Sequence, residues 1–298
     1  MVRITGTTQL AGVIGWPIEH SLSPVMHNAA YQELGLDWVY VPLSVEDEIA
    51  LRRVVAAIRA LPFVGFNVTM PYKAAMLELC DEVATAASMA GAVNTVQCVG
   101  DRLVGYNTDG RGMLDSLAED AGFSPAGKRV ALIGAGGAAR AALVAFVLAR
   151  AARVDMVNRD VIRAQDAIAR VGDYLNVTEA IAVPLDAAEQ AVRDADLIVN
   201  STPVGMRPDD PSPIPTSWLR SGHIVLDMVY GRDEPTPLLL AARAAGATAI
   251  DGLGMLVGQG AIAIDIWNPD PDGPASRKTM RRAAEEEGIR RQRGSGPR

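Results

Sequence analysis

A glycine-rich run lies near the middle of this 298-residue chain, between an apolar stretch of strand length and an apolar stretch of helical length. The run reads Gly134-Ala135-Gly136-Gly137-Ala138-Ala139, after the strand candidate Arg129–Ile133 and at the start of the helix candidate Gly137–Ala149. In this context the glycines allow a tight turn and a close backbone approach, and the N–H groups that open the helix face an anion. The run therefore predicts a Rossmann-type βαβ unit in which residues 134–138 bind the pyrophosphate of a dinucleotide.

The choice of dinucleotide depends on Asn158 and Arg159, which follow the next strand candidate, Val154–Val157. An acidic residue at this place, about 20 residues beyond the glycines, selects NAD. Arginine instead offers a permanent charge and a planar fork of donors that suit the 2′-phosphate of NADP, and Arg163 is a second candidate for that contact. Asp160 stands directly beside them, so NAD remains the alternative to the favoured NADP.

The length of the chain fits two domains of ordinary size, with a cleft between them. Strand and helix patterns alternate over residues 9–99, and a second alternating series begins after the breaker-rich Ser124–Gly127. With 49% hydrophobic and only 5% aromatic residues, this alternation predicts the α/β class. The segment from about Pro269 onward carries Pro, Gly and mixed charge runs, which predict a short solvated helix and a flexible tail over residues 286–298.

Composition narrows the class of partner. A formal net charge of −7 argues against nucleic acid, because phosphate binding needs a basic face. No apolar run reaches the roughly 18 residues of a membrane span, and Met1–Leu10 lacks the layout of a signal peptide, so a soluble cytoplasmic protein with no membrane partner is expected. Cys80 and Cys98 have no CxxC or histidine companion and the three histidines are scattered, so we expect no disulfide framework and no metal site.

Polar side chains gather at three places in the first half of the chain, each at a strand end or a helix start: His20–Pro24, Asn67–Lys73 and Ala92–Thr95. Ligands bind at such edges of open α/β sheets, and Ser, Asn, Thr and Lys together suit a substrate with several hydroxyls and a carboxylate. Each group alone also has a plainer interpretation as a helix cap or a turn. Their combination predicts a small-molecule site.

The order of these motifs resembles that of the shikimate dehydrogenase family over residues 12–267. The matching runs are Val13–Gly15, His20–Asn28, Asn67–Lys73, Gly91–Thr95, Gly105–Gly110, Gly134–Ala139, Asn158–Arg159, Asn200–Met206 and Asp251–Gln259. The resemblance implies an N-terminal α/β substrate domain, residues 1–108, that a C-terminal helix over 252–285 completes, and a Rossmann-type NADP-binding domain over 109–251. It also implies the reversible, NADPH-linked reduction of 3-dehydroshikimate to shikimate, in chorismate and aromatic amino-acid biosynthesis.

Residue roles follow from the same resemblance as expectations. Ser21 and Ser23 are expected to bind the substrate carboxylate, and Lys73 and Asp109 to flank the reacting hydroxyl. The residues expected at the other hydroxyls or near the substrate are Asn67, Thr69, Asn94, Tyr230 and Gln259. Besides residues 134–138, 158, 159 and 163, the residues expected on the cofactor side are Thr202, Met228 and Gly252.

The expected chemistry needs a group that exchanges a proton, because oxidising a secondary alcohol by hydride transfer leaves an O–H proton to be removed. The chain has only three lysines, Lys73, Lys128 and Lys278, and its other basic side chains apart from histidine are arginines. Arginine does not give up its proton in proteins, whereas lysine does. Lys73 is therefore a predicted proton exchanger, together with Asp109.

Two alternatives remain open. The same machinery acting on quinate or an amino analogue of shikimate would change few contacts. A catalytically weak NADP-binding regulator would also keep the fold, because fold alone does not prove activity. Gly231-Arg232 follows Tyr230 where the family commonly has Asn-Pro, which leaves the substrate range open. The expected partners are small molecules only, in a monomer or a homodimer.

Overall fold

A computed structural model describes residues 3–232, 234–269 and 274–294. The chain forms two compact units: unit 1 takes the chain up to Thr108 and again from Val257 onward, and unit 2 takes Asp109–Leu256. The first boundary lies where the motifs place it, and the second lies inside a helix, a few residues after the predicted boundary before Gly252. Each unit has its own sheet.

Unit 1 begins with six strands and three helices. In chain order these are β1 (Gln9–Gly15), α1 (Ser23–Glu33), β2 (Trp38–Ser44), α2 (Glu48–Ile58), β3 (Phe63–Val68), β4 (Glu82–Val83), α3 (Thr85–Ala90), β5 (Thr95–Val99) and β6 (Arg102–Tyr106). The sheet order is β2-β1-β3-β5-β6-β4, in which β1 runs parallel to β2 and β3 while β5 runs antiparallel to both of its neighbours. This arrangement brings the carboxyl end of β3 beside the start of β5.

The core of unit 1 forms between this sheet and its helices. Helix α2 shows how the sequence directs the packing: Asp47 caps it by accepting a hydrogen bond of 2.7 Å from the Ala50 amide. Its buried side chains, Leu51, Val55 and Ile58, recur at helical spacing and join the core cluster of the sheet. Burial of one such apolar stripe stabilises the helix more than its intrinsic propensity does.

Unit 2 is an alternating series of strands and helices. In chain order these are α4 (Asp109–Ala121), β7 (Arg129–Ile133), α5 (Gly137–Leu148), β8 (Arg153–Asn158), α6 (Val161–Ala169), β9 (Glu179–Pro184), α7 (Glu189–Asp194), β10 (Leu197–Asn200), β11 (Ile224–Asp227), α8 (Pro237–Ala244) and β12 (Thr248–Ile250). All six strands are parallel, in the order β12-β11-β10-β7-β8-β9. The order reverses between β7 and β10, which is the doubly wound arrangement with its switch point at the glycine-rich run.

Two helices follow β12, and they correct one expectation. Helix α9 runs over Leu253–Trp267 and α10 over Arg277–Gly294. The predicted flexible tail is therefore wrong for residues 286–294, which continue α10, and residues 295–298 lie outside the described residues. The helix persists because α10 packs along α1 and because Glu287 pairs with Arg290 and Arg291 within its last turns. Among the described residues, no helix is both long and apolar enough to cross a membrane.

Candidate active site

The loop before α1 brings Ser21 and Ser23 together. The Ser23 amide donates to Ser21 Oγ at 3.2 Å, and the Ser21 amide donates to the Ile18 carbonyl at 3.0 Å. Ser23 opens the helix, and no side-chain hydrogen bond caps this end at Leu22. The hydroxyls and the positive end of α1 make this loop suited to an anion such as a carboxylate.

Three of the predicted hydroxyl-binding residues share one buried hydrogen-bond network in unit 1. Asn67 Nδ2 donates to the Asn94 carbonyl at 3.2 Å, and Asn94 Nδ2 donates to Gln259 Oε1 at 3.4 Å. All three side chains are buried. Buried amides with fixed partners hold their donors and acceptors in set directions, as recognition of hydroxyl groups requires.

The turn after β3 carries Thr69 and Lys73. The Lys73 carbonyl accepts a hydrogen bond of 2.8 Å from the Val93 amide, and the Val68 amide donates to the Asn94 carbonyl, also at 2.8 Å. These bonds join the turn to the segment that leads into β5. Thr69 and Lys73 thus lie at the same end of β3 as the amide network, and both side chains are partly exposed.

Asp109 and Tyr230 belong to unit 2, whereas Lys73 belongs to unit 1. Asp109 is the first residue of α4 and is 6% exposed, and a carboxylate at that position suits the positive end of the helix. Tyr230 follows β11 and is 37% exposed. Loss of solvent around the phenol, followed by the negative charge of Asp109, raises the pKa of Tyr230. A phenol is protonated near pH 7 at its ordinary pKa, so Tyr230 can donate a hydrogen bond.

The glycine-rich turn after β7 has the shape that a pyrophosphate needs. Gly134 has φ +113°, and a Cβ there would lie 2.6 Å from Ser201 Oγ, so no other residue fits without strain. A Cβ on Gly136 or Gly137 would meet nothing within 4 Å, which leaves space on the outer side of the turn. Helix α5 begins there with no side-chain cap on its first N–H groups. The turn and this helix start fit the anionic centre of a dinucleotide.

The other predicted cofactor residues lie near the same edge of the unit 2 sheet. They lie at or after the carboxyl ends of parallel strands: Asn158 ends β8, Arg159 follows it and Arg163 lies in the first turn of α6, while Thr202 follows β10, Met228 follows β11 and Gly252 follows β12. A doubly wound sheet binds its ligand at this edge, where β7 and β10 diverge. Gly252 marks a close approach, because a Cβ on it would lie 2.3 Å from the Met228 carbonyl oxygen.

Asp160 caps helix α6 with one oxygen of its carboxylate. Its Oδ1 accepts the Ile162 amide hydrogen at 3.1 Å and so caps α6, and its carbonyl accepts from Asn158 Nδ2 at 2.7 Å. One oxygen of the acid on which the NAD alternative depends is therefore bonded within the protein.

Positive charge surrounds the start of α6. Arg159 and Arg163 are both exposed. Burial, and then the charges of Arg170 and Arg163, lower the pKa of Arg140. The exposed guanidinium groups of Arg159 and Arg163 suit a phosphate group in addition to the pyrophosphate.

A buried carboxylate holds the loop after β10 in place through hydrogen bonds. Asn200 Oδ1 accepts hydrogen bonds from the Thr202 amide and hydroxyl at 3.1 and 2.7 Å, and Asn200 Nδ2 donates to Asp227 Oδ1 at 2.9 Å. Asp227 is fully buried and also accepts from the Thr236 hydroxyl at 2.6 Å. Burial raises the pKa of Asp227 although these hydrogen bonds oppose the rise. The network fixes Thr202 beside Gly134 in the glycine-rich turn.

Comparison with known proteins agrees with this geometry. The family model of the shikimate dehydrogenase substrate-binding domain matches residues 13–96, and that of shikimate/quinate 5-dehydrogenase matches residues 116–205. Shikimate dehydrogenase (NADP(+)) of Geobacter metallireducens is 45% identical over 281 residues, which cover 93% of this chain and 98% of that protein. The chain belongs to the shikimate dehydrogenase family.

Solved structures of the shikimate dehydrogenase family extend the similarity to the whole fold. One, solved in complex with NADP+, has a TM-score of 0.86 at 36% identity and covers 96% of this chain and 97% of its own. Another, from Listeria monocytogenes in complex with shikimate and NAD, has a TM-score of 0.87 at 35% identity, with 94% and 97% covered. The α/β class and the family predicted from the motifs are confirmed.

The family motifs did not reveal every residue of the amide network. Tyr40 donates its hydroxyl to Asn67 Oδ1 at 2.8 Å, and Asn67 Nδ2 donates to Thr95 Oγ1 at 3.0 Å. Asn94 Oδ1 accepts the Thr108 amide hydrogen at 2.8 Å. Thr95 and Thr108 stand inside quoted motifs, so the signal for them was present. Tyr40 lies in β2, where an aromatic residue is typical of a strand and carries no functional signal.

Proposed function

We propose that this protein is an NADP-dependent shikimate dehydrogenase, which reversibly reduces 3-dehydroshikimate to shikimate with NADPH in chorismate and aromatic amino-acid biosynthesis. The observation that carries the proposal is the near full-length match to a shikimate dehydrogenase (NADP(+)), which spans 93% of this chain. The glycine-rich turn and the buried amide network supply the two kinds of binding group that such an enzyme needs.

Substrate recognition is assigned to unit 1. Ser21 and Ser23 bind the carboxylate, since they stand at a helix start without a side-chain cap, where the Ser23 amide donates to the Ser21 hydroxyl. The hydroxyls of the substrate are bound by the polar side chains at the ends of β3 and β5 and on α9, namely Asn67, Thr69, Asn94 and Gln259. A site of fixed hydrogen-bonding groups rejects an analogue that leaves them unpaired, which gives this enzyme its selectivity.

Proton exchange is assigned to Lys73 and Asp109. NADP, when bound, supplies the chemistry of hydride transfer. In the direction of reduction the Lys73–Asp109 pair gives one proton to the substrate oxygen, and in the direction of oxidation the same pair takes one proton back. Tyr230, whose phenol is protonated near pH 7, is assigned to the substrate as a hydrogen-bond donor.

Cofactor binding is assigned to unit 2. The backbone of residues 134–138 and the start of α5 bind the pyrophosphate, while Thr202, Met228 and Gly252 line the nicotinamide side. Asn158, Arg159 and Arg163 bind the adenosine end, with Arg159 on the 2′-phosphate. The two exposed arginines after β8 support NADP over NAD, because their charge suits a 2′-phosphate.

The surroundings of the protein are part of the proposal. Burial raises the pKa of Cys80 to about 12 and that of Cys98 to about 11, so both stay as unreactive free thiols. Free thiols suit the reducing cytoplasm. We place the enzyme there, as a monomer or homodimer that binds small molecules and neither nucleic acid nor membrane.

The test is a spectrophotometric assay at about 340 nm with shikimate and quinate, each with NADP and NAD, at substrate concentrations on the order of typical KM values. Shikimate with NADP should give the highest kcat/KM. Equal use of quinate would replace the substrate assignment while the reaction class stands. Binding of NADP without turnover of either substrate would instead favour a regulator and overturn the enzymatic proposal.

A further inference from the structure

We propose that Arg291, on the C-terminal helix α10, is a positioning residue that holds the loop of Ser21 and Ser23 in place for the substrate carboxylate. The inference rests on the proposed function, since it takes these serines as the carboxylate site. It gives the last turns of α10 a part in substrate recognition, although their sequence carries no motif.

The contact is made to the backbone of the loop itself. Arg291 Nη1 donates to the His20 carbonyl at 2.8 Å, and Nη2 donates to the Ser21 carbonyl at 3.2 Å. Two donors of one planar guanidinium thus reach two successive peptide groups. This fork fixes the directions of both peptide planes, which a single flexible donor does not do. Ser21 Oγ, which is bonded to the Ser23 amide, takes its position from these planes.

The guanidinium of Arg291 also has a partner within α10. Arg291 Nε donates to Glu287 Oε1 at 2.9 Å, so all three nitrogens of the group have partners. The Glu287 side chain is only 10% exposed, and Arg290 also binds it, through Nε at 2.8 Å. Because Glu287 fixes the position of the Arg291 guanidinium, the guanidinium can determine the conformation of the serine loop.

The helix that carries Arg291 is firmly attached to unit 1. Helix α10 packs along α1, and its Met280 and Ala284 side chains are buried. The serine loop leads directly into α1. Arg291 therefore links α10 to the loop that precedes α1, the helix against which α10 packs. A loop that is free to move would hold its carboxylate ligands less well and so weaken substrate binding.

The experiment compares Arg291→Met with Arg290→Met in the full-length enzyme. Both substitutions remove one arginine partner of Glu287, but only Arg291 touches the serine loop. Arg291→Met should raise KM for shikimate about five- to tenfold, with kcat and KM for NADP changed less than about twofold. Arg290→Met should leave all three within about twofold. Arg291→Lys should restore part of the lost affinity, because an ammonium group can reach one carbonyl but not both.

Amide hydrogen exchange of residues 18–24 gives a readout that does not depend on turnover. Exchange in this segment should be faster in Arg291→Met than in Arg290→Met. Equal exchange and equal KM in the two variants, with Ser21→Ala still raising KM for shikimate, would overturn the role of Arg291 and leave the proposed function standing. Absence of shikimate turnover in the unmodified enzyme would count against the proposed function, and the exchange comparison would still decide whether Arg291 orders the loop. Should Arg291→Met unfold, the same comparison is made with Arg291→Lys.

Discussion

The amide of Asn67 shows how a single side chain can be set for recognition. Its Nδ2 must face the Asn94 carbonyl, which can only accept, so the Oδ1 faces the Tyr40 hydroxyl. Both N–H groups then have protein acceptors, the second being Thr95 Oγ1. An amide oxygen has two lone pairs, and Tyr40 takes one of them. The other would accept the hydrogen bond that we propose from a substrate hydroxyl.

Tyr40→Phe tests this arrangement. The substitution removes the donor to a buried amide oxygen, so the free energy of unfolding should fall by about 1–3 kcal/mol and KM for shikimate should rise, with KM for NADP unchanged. Urea denaturation and steady-state kinetics measure the two effects. Tyr31→Phe is a matched control, because the Tyr31 hydroxyl is equally buried but faces His27 at 3.4 Å. A rise in KM as large in the control would show that packing, and not the orientation of Asn67, is responsible.

Lys73→Met and Asp109→Asn test the proton exchange. Each should lower kcat by about 100-fold or more, the scale of a positioned acid–base group, and should leave KM for NADP nearly unchanged. Lys128→Met is the control for loss of a lysine, because Lys128 is paired with Asp196 at 3.9 Å and its side chain is 48% exposed. A kcat that stays within about threefold in both site variants would remove them from the mechanism.

At the scale of secondary structure, elements with strong apolar periodicity were predictable and those defined by pairing were not. The sequence predicts β7 with the bounds that the structure has. Strands β4 and β12, of two and three residues, went unpredicted, because a short strand owes its existence to the neighbour it pairs with. A residue whose role depends on a partner distant in sequence is equally hard to predict. Arg291 is separated from Ser21 by 270 positions, so no local sequence pattern indicates their contact.

The stabilisation that the ion pairs of Glu287 give to helix α10 should decrease at acid pH. The hydrogen bonds from Arg290 and Arg291 lower the pKa of Glu287 in the folded protein. A carboxyl whose folded pKa lies below its unfolded value contributes stability above the unfolded pKa, near 4.3, and loses it as pH falls through the folded pKa. Glu287→Gln should therefore be less stable than the unmodified protein at pH 7, and the difference should shrink below about pH 4.

Denaturant midpoints across this pH range measure the effect. Glu286→Gln is the matched control, because Glu286 is a neighbouring glutamate whose side chain is 72% exposed and whose ion pair with Arg282 is 3.8 Å long. It should change the midpoint little at any pH. A destabilisation by Glu287→Gln that stays constant from pH 7 to about pH 3 would mean that the pairing of Glu287 is not what holds the helix.

For the molecule as a whole, the two units have separate sheets and separate core clusters. The assigned carboxylate and hydroxyl ligands belong to unit 1, whereas the assigned cofactor ligands belong to unit 2. A ligand that binds only the folded state stabilises what it contacts by mass action. Shikimate and NADP should therefore protect the backbone amides of different segments from hydrogen exchange. This difference tests the role of each unit without a measurement of catalysis.

Amide hydrogen exchange with one ligand at a time measures this protection. NADP at about 100 times its Kd contributes about 2.7 kcal/mol and should slow exchange up to about 100-fold in residues 134–138, 158–163 and 200–206. Shikimate alone should protect residues 18–24, 67–73 and 91–95.

NAD at the same concentration as NADP should protect unit 2 less, because it lacks the 2′-phosphate for Arg159. Arg159→Ala should remove most of this excess, by weakening NADP binding about tenfold or more while leaving NAD binding nearly unchanged. If Arg159→Ala kept the excess of NADP over NAD, the 2′-phosphate would have to lie elsewhere in unit 2, with Arg140 and Arg163 as the groups to test next.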